Sequence, residues 1–155
     1  MKTHPIVFAV KVPQTIESHQ WESGLNRISA ERRQRITRFR LQADKHRSLL
    51  AEVLVRQVLQ RTYGLSDSQI GFRIGPYGKP YLAEGGPFFN FSHSGEWVAA
   101  VFHDREVGID IEQVRTVDMD LAERFFTPEE SSMLAGLKEE ERPQQFFRLW
   151  TMKEA

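Results

Sequence analysis

Residues 6–12 are apolar and rich in β-branched side chains, the mark of an opening strand. Ser29-Ala30-Glu31-Arg32 reads as a helix start with Ser29 as N-cap, although the residue three positions on is Arg32 and not the glutamate of a capping box. A longer helix is expected over 44–63, with Leu50, Leu54 and Val58 at fourfold spacing, Val53 and Val55 beside them, and Gly64 as its terminator. Residues 70–74 are short and β-like. Residues 88–93 and 97–103 predict a hairpin about Ser94-Gly95. A tight connection through residues 103–106 then leads to Val107-Gly108-Ile109-Asp110-Ile111-Glu112, whose strict alternation has the period of a half-buried strand, so three successive strands are expected to meander.

Beyond Glu112 a polar link leads to residues 121–126. Thr127-Pro128-Glu129-Glu130 is a capping box with proline at the first helical position, and a last helix is expected after Pro143, carrying Phe146, Phe147, Trp150 and Lys153. Ser29-Ala30-Glu31 ahead of the 44–63 helix is echoed by Thr127-Pro128-Glu129 ahead of the last one. The chain therefore reads as one and a half copies of a similar unit, with residues 1–104 as a first half and 105–155 as the start of a second.

At 155 residues, 40% hydrophobic and 27% charged, the composition is that of a globular protein. No apolar run has the length of a membrane span, and no export signal is read at the start. The absence of cysteine excludes disulfides, thiol catalysis and cysteine-ligated metals, and fits a cytoplasmic setting. A formal net charge of zero hides an asymmetry: residues 27–47 carry eight Lys/Arg against two Asp/Glu, whereas residues 104–141 carry twelve Asp/Glu against four Lys/Arg. A nucleic-acid binder would spread positive charge over a face; a small polyanion held with a divalent metal suits this pattern better.

The candidate chemistry follows that division. Asp110 and Glu112 share one strand face roughly 7 Å apart; like charges so placed repel unless a cation or water sits between them, and all-oxygen ligands of this kind suit Mg²⁺. Glu154 offers a third carboxylate. Lys45, His46, Arg47 and Ser48 are expected in the first turn of the 44–63 helix, where free N–H groups favour an anion. The Gly75-Pro76-Tyr77-Gly78-Lys79-Pro80 loop is either a connector or a grip for a heterocycle. Ser92 and His93 suggest a hydrolase, but there is no Gly-x-Ser-x-Gly elbow, and neighbours on a strand do not face each other. A phosphate contact suits His93 better.

Gly108-Ile109-Asp110-Ile111-Glu112 taken with Trp150-Thr151-Met152-Lys153-Glu154-Ala155 resembles the paired signature of 4′-phosphopantetheinyl transferases. Phe89-Asn90-Phe91-Ser92-His93-Ser94-Gly95 and Tyr77-Gly78-Lys79-Pro80 resemble the larger, monomeric class that activates surfactin and gramicidin synthetases. The resemblance implies a pseudo-twofold α/β (α+β) fold of two similar halves, the second incomplete in this chain, with coenzyme A and Mg²⁺ between them. It implies Asp110, Glu112 and Glu154 as metal ligands, with Lys153 and His93 at phosphate oxygens and Ser92 among the coenzyme A-binding residues. Arg32, Arg35, Arg47 and Ser48, with His46, would hold the 3′-phosphate, and Tyr77, Gly78, Lys79 and Pro80 would line the adenine pocket. Arg32 and Arg35 stand where lysine is familiar, which keeps charge and alters geometry.

The implied reaction moves 4′-phosphopantetheine from coenzyme A to a serine of an acyl or peptidyl carrier protein of nonribosomal peptide, polyketide or fatty-acid synthases, with Glu154 as general base and Lys153 and His93 in the catalytic set. Two other readings use the same residues: a Mg²⁺-dependent phosphohydrolase, and a truncated module that binds coenzyme A or carrier without turnover.

Overall fold

The computed structural model describes residues 4–155, which divide into two compact units, residues up to Ile111 and Glu112–Ala155. In chain order the first unit holds β1 (Ile6–Lys11), α1 (Ser18–Asn26), α2 (Ala30–Thr37), α3 (Gln42–Tyr63), a 3₁₀ turn (Asp67–Gln69), β2 (Phe72–Ile74), β3 (Pro80–Leu82), β4 (Phe88–Ser94) and β5 (Trp97–His103). The second unit holds α4 (Asp120–Phe125), α5 (Pro128–Gly136) and α6 (Arg142–Glu154). Among the described residues no helix is long and apolar enough to cross a membrane.

The main sheet is antiparallel in the order β1-β5-β4, and the hairpin falls where expected, with Gly95 at φ +56° in its turn. Register pairs Phe8 with Ala100 and Phe91 with Ala100 across the two ladders, so Phe8, Ala100 and Phe91 lie on one face. Val55, Val58 and Leu59 of α3 join Phe89, Ala100 and Phe102 of the sheet in the largest core cluster. Against this helix, α1 packs closely at Gly24, where an added Cβ would meet Leu49 Cδ2 at 3.0 Å.

Three expectations need correction. First, α3 begins at Gln42, with Leu41 as N-cap and no side-chain cap, so no cap chemistry marks the start. Lys45 N already bonds Leu41 O, which puts His46, Arg47 and Ser48 past the free amides and removes the helix-terminus argument for them. Second, the fully buried face of α3 is Ser48, Ala51, Glu52, Val55, Val58 and Leu59 with Leu49, while Leu50 and Leu54 are only half-buried. Third, residues 107–112 join no ladder, so the meander stops at two strands. All six are half-buried and do not alternate between core and solvent.

Other elements form as read. Ser29 Oγ accepts from Arg32 N at 3.2 Å and caps α2. Gly64 ends α3 in the left-handed region at φ +69°. Gly75–Pro80 makes the tight turn of the β2–β3 hairpin, in which Gly75 N bonds Lys79 O at 2.9 Å. Helix α1 and strand β3 stand where the sequence reading placed no element.

In the second unit, Thr127 Oγ1 accepts from Glu130 N at 3.3 Å and Glu130 Oε2 accepts from Thr127 N at 2.9 Å, the reciprocal box the sequence predicts. Ala122, Phe126, Leu134, Phe146, Phe147 and Leu149 form its core.

Candidate functional site

Strand β4 positions two different chemistries because successive side chains leave it on opposite faces. Asn90 and Ser92 point one way. Asn90 Oδ1 accepts from Ile109 N at 3.1 Å, and Ser92 Oγ accepts from Ile111 N at 3.3 Å. Both partners advance by two residues in the same direction, so residues 109–111 run parallel to β4, held by side chains in place of a backbone ladder. Ser92 Oγ also donates to Asp110 Oδ1 at 2.7 Å.

That leaves Asp110 Oδ2 buried with no hydrogen-bond partner. A buried carboxylate oxygen without a donor is costly unless a cation or water meets it. A hard cation, which prefers oxygen ligands, is one group that such an oxygen suits. Asp110 belongs to the first unit; half-buried Glu112 and exposed Glu154 belong to the second. Within neither unit, among the described residues, do three His, Asp or Glu side chains gather to hold a metal.

The other face of β4 carries Phe91 and His93. Arg32, from α2, places its guanidinium carbon 5.7 Å from the centre of the Phe91 ring, and its buried Nε has no hydrogen-bond partner. Burial lowers the pKa of His93 below the ordinary histidine range, and the positive Arg47 and Arg32 push the same way. The imidazole is therefore mostly neutral at pH 7. Burial also lowers Arg32, which Glu52 opposes and Arg35 reinforces.

The remaining first-unit candidates divide clearly. Arg47 donates to Gly95 O at 2.8 Å and pairs with Asp44, tying α3 to the turn after His93. Arg35 is exposed on α2 and close enough to influence Arg32. Ser48 is buried in α3. His46 is buried, 3.0 Å from Gln42 Nε2 and beside Trp21, with Pro13 supplying a backbone hydrogen bond; burial lowers its pKa. Those contacts make it a satisfied structural histidine. Tyr77 is 93% exposed in the β2–β3 turn with Gly78, Lys79 and Pro80. An open cleft of about 390 Å³ between α1 and α3, bordered by Ile16, His19, Leu49 and Leu50, shares no residue with the arginine cluster.

In the second unit Lys153 Nζ lies 3.0 Å from Glu130 Oε2 and 5.8 Å from the centre of the Phe126 ring. The Thr127 backbone hydrogen bond, then Lys153, hold the Glu130 carboxyl below its usual range. The α5 cap thus fixes one ion-pair partner of Lys153.

Two residues escaped the sequence reading. Glu52 accepts from Ser29 N at 3.1 Å and Arg56 Nε at 3.0 Å, and lies 3.8 Å from Arg32 Nε. Its signal was a carboxylate on the face of α3 otherwise lined by Ser48, Val55 and Leu59, four residues before an arginine. Asn90 was visible only as a polar residue in phase with Ser92.

The family model described as "4'-phosphopantetheinyl transferase, N-terminal" matches residues 15–104, and that of the "4'-phosphopantetheinyl transferase superfamily" matches residues 106–155. The chain is 37% identical over 150 residues to the 4'-phosphopantetheinyl transferase Sfp of Bacillus subtilis (strain 168), covering 96% of this chain and 67% of that protein. It is 43% identical over 129 residues to psf-1 of Bacillus pumilus, covering 83% and 55%. To gsp of Aneurinibacillus migulanus it is 37% identical over 146 residues, covering 94% and 61%. The alignments thus span 55% to 67% of these relatives' lengths. With matches running through both units and through every motif described above, the chain belongs to the 4′-phosphopantetheinyl transferase superfamily.

Proposed function

We propose that this protein transfers 4′-phosphopantetheine from coenzyme A to a serine of an acyl or peptidyl carrier protein, converting the apo carrier to its holo form. The observation that carries the reading is the division of chemistry about β4: an unmatched Asp110 oxygen on one face, and an arginine cluster around His93 on the other. A diphosphate ester bearing a separate phosphate monoester needs both a cation and a cationic pocket.

In this reading Asp110, Glu112 and Glu154 hold Mg²⁺, which neutralises charge on the pyrophosphate when bound. Arg32, Arg35 and Arg47, with Ser48, take the 3′-phosphate, and His93 and Lys153 donate to phosphate oxygens. His46, already satisfied by Gln42 and Pro13, contributes by supporting α3. Tyr77, Gly78, Lys79 and Pro80 border the adenine. Ser92 acts by orienting Asp110. Glu154 accepts the proton of the carrier serine as its oxygen bonds to the β-phosphorus of coenzyme A. The phosphoanhydride breaks, and adenosine 3′,5′-bisphosphate leaves with the bond's electron pair. The absence of cysteine supports a cytoplasmic setting.

Mass spectrometry of an apo carrier domain incubated with this chain, coenzyme A and Mg²⁺ tests the reading. The carrier is expected to gain the mass of one phosphopantetheine, and Glu112→Ala is expected to abolish the gain. No gain refutes transfer by this chain, and pantetheine phosphate released without a carrier would mark a phosphohydrolase instead.

A further inference from the structure

Glu52 is a buried carboxylate in α3, its side chain 7% exposed, standing between two guanidiniums. Arg56 is fully committed. Its Nε bonds Glu52 Oε1 at 3.0 Å, its Nη1 reaches Ile70 O at 3.3 Å, and its guanidinium carbon lies 5.0 Å from the centre of the Phe72 ring. Arg32 is not committed in this way: its Nε sits 3.8 Å from Glu52 Oε2 and is otherwise unpaired. The same carboxylate accepts from Ser29 N, the N-cap of the helix that carries Arg32. Glu52 therefore fixes both the start of α2 and the place of its cationic side chain.

The charges around this point are uneven. Arg32, Arg35, Arg47 and Arg56 face Asp44 and Glu52, four guanidiniums against two carboxylates. The surplus matches a phosphate monoester dianion. We propose that Glu52 is the positioning residue of the phosphate pocket: it touches no substrate, but sets Arg32 against Phe91 so that the pocket distinguishes a terminal phosphate from a hydroxyl. The proposal rests on the reading of coenzyme A as substrate and deepens it by naming what makes the pocket selective.

Replacing Glu52 with glutamine keeps the size and one acceptor oxygen but presents an NH₂ group near another N–H donor. That group carries no charge to hold the guanidinium 3.8 Å away, so Arg32 loses its electrostatic anchor. The experiment is calorimetric binding of coenzyme A and of dephospho-coenzyme A, which lacks the 3′-phosphate, to the full chain. The ratio of the two affinities is insensitive to any fall in the folded fraction.

Wild type is expected to favour coenzyme A. Glu52→Gln is expected to reduce that preference by about tenfold, a coupling normal for neighbours in one charge network. In an Arg32→Ala background the same change is expected to leave the ratio unaltered. If Glu52→Gln does not fold cooperatively, Glu52→Gln with Arg56→Gln removes one charge of each sign from the buried pair and gives the same readout.

A preference kept intact in the folded variant overturns the proposal and leaves Glu52 a structural ion-pair member. A preference that rises overturns it too, showing a simple counter-charge. Wild type binding both ligands equally overturns the proposal alone, whereas wild type binding neither overturns the substrate reading and the proposal with it.

Discussion

Removing the Ser92 hydroxyl with Ser92→Ala tests how residues 109–111 are held in the absence of a ladder. Ser92 Oγ makes one charge-assisted bond to Asp110 and accepts one from Ile111 N, at 2.7 and 3.3 Å. The first is worth about 1.5–3 kcal/mol and the second about 1 kcal/mol, so local stability should fall by about 2–4 kcal/mol. Native-state amide exchange reads this directly, since about 1.4 kcal/mol is tenfold in the opening equilibrium. Protection of the Ile111 amide is expected to drop by roughly 30-fold or more. The Ile109 amide, which Asn90 holds, should lose less. Equal losses at both amides, or protection at Ile111 unchanged, would refute the idea that individual side chains of β4 pin this segment.

His46 and His93 both have pKa values held below the ordinary histidine range by burial. The unfolded chain then binds more protons than the folded one just below the ordinary value of about 6.5. Stability should therefore be fully present above that pH and decline as pH falls through the lowered folded values, seen as a falling Tm; a flat profile between pH 7 and 5 would contradict the burial argument. Protonation of His93 adds a second donor and a positive charge facing phosphate, so coenzyme A affinity should rise as pH is lowered from 8 to 6, measured by calorimetry with proton uptake. Thr127→Ala removes the acceptor for Glu130 N and should cost about 1 kcal/mol in denaturant unfolding of the second unit. Gly64→Ala, at φ +69°, should cost a similar amount, about 1 kcal/mol, in the first unit.

Most of the fold was legible where one local rule decided the outcome. Thr127-Pro128-Glu129-Glu130 satisfies its own backbone groups, so the box forms whatever surrounds it. Gly64 and the Ser94-Gly95 turn are similar cases. The start of α3 differs from the expected one because Leu41 carries no capping group and Leu41, Gln42 and Ala43 are exposed, so neither a cap nor a buried stripe marks it. Residues 107–112 have a strand's pattern but lack a strand's partner. Alternation describes which way side chains point, whereas a ladder also requires backbone groups opposite, and here Asn90 and Ser92 side chains occupy that position.

The candidate site was legible in its residue types and less so in their roles. His46 and Arg47 are adjacent in sequence and equally basic in outline, yet His46 is buried against Trp21 and Gln42 while Arg47 spans from α3 to the turn at Gly95. A helix turns about 100° per residue, so neighbours on α3 face different surroundings. Glu52 carried only the weak mark of a carboxylate four residues before Arg56. Among many charged positions on a helix, nothing local marks the one whose partners come from α2, 20 residues and more away in sequence.

The two-faced use of β4 explains why Ser92 and His93 never form the nucleophile pair their adjacency suggests. The pleat sends Ser92 toward Asp110 and His93 toward Arg32 and Arg47. The strand thereby separates the Asp110 carboxylate from the arginine cluster by the thickness of one backbone, too differently oriented to neutralise each other. A single-residue slip in register would exchange the faces and destroy both. The hairpin that sets this register is pinned by Arg47 to Gly95 O. Arg47 therefore acts on both chemistries at once: it contributes charge to the anion side, and through the turn it holds the strand whose other face orients Asp110.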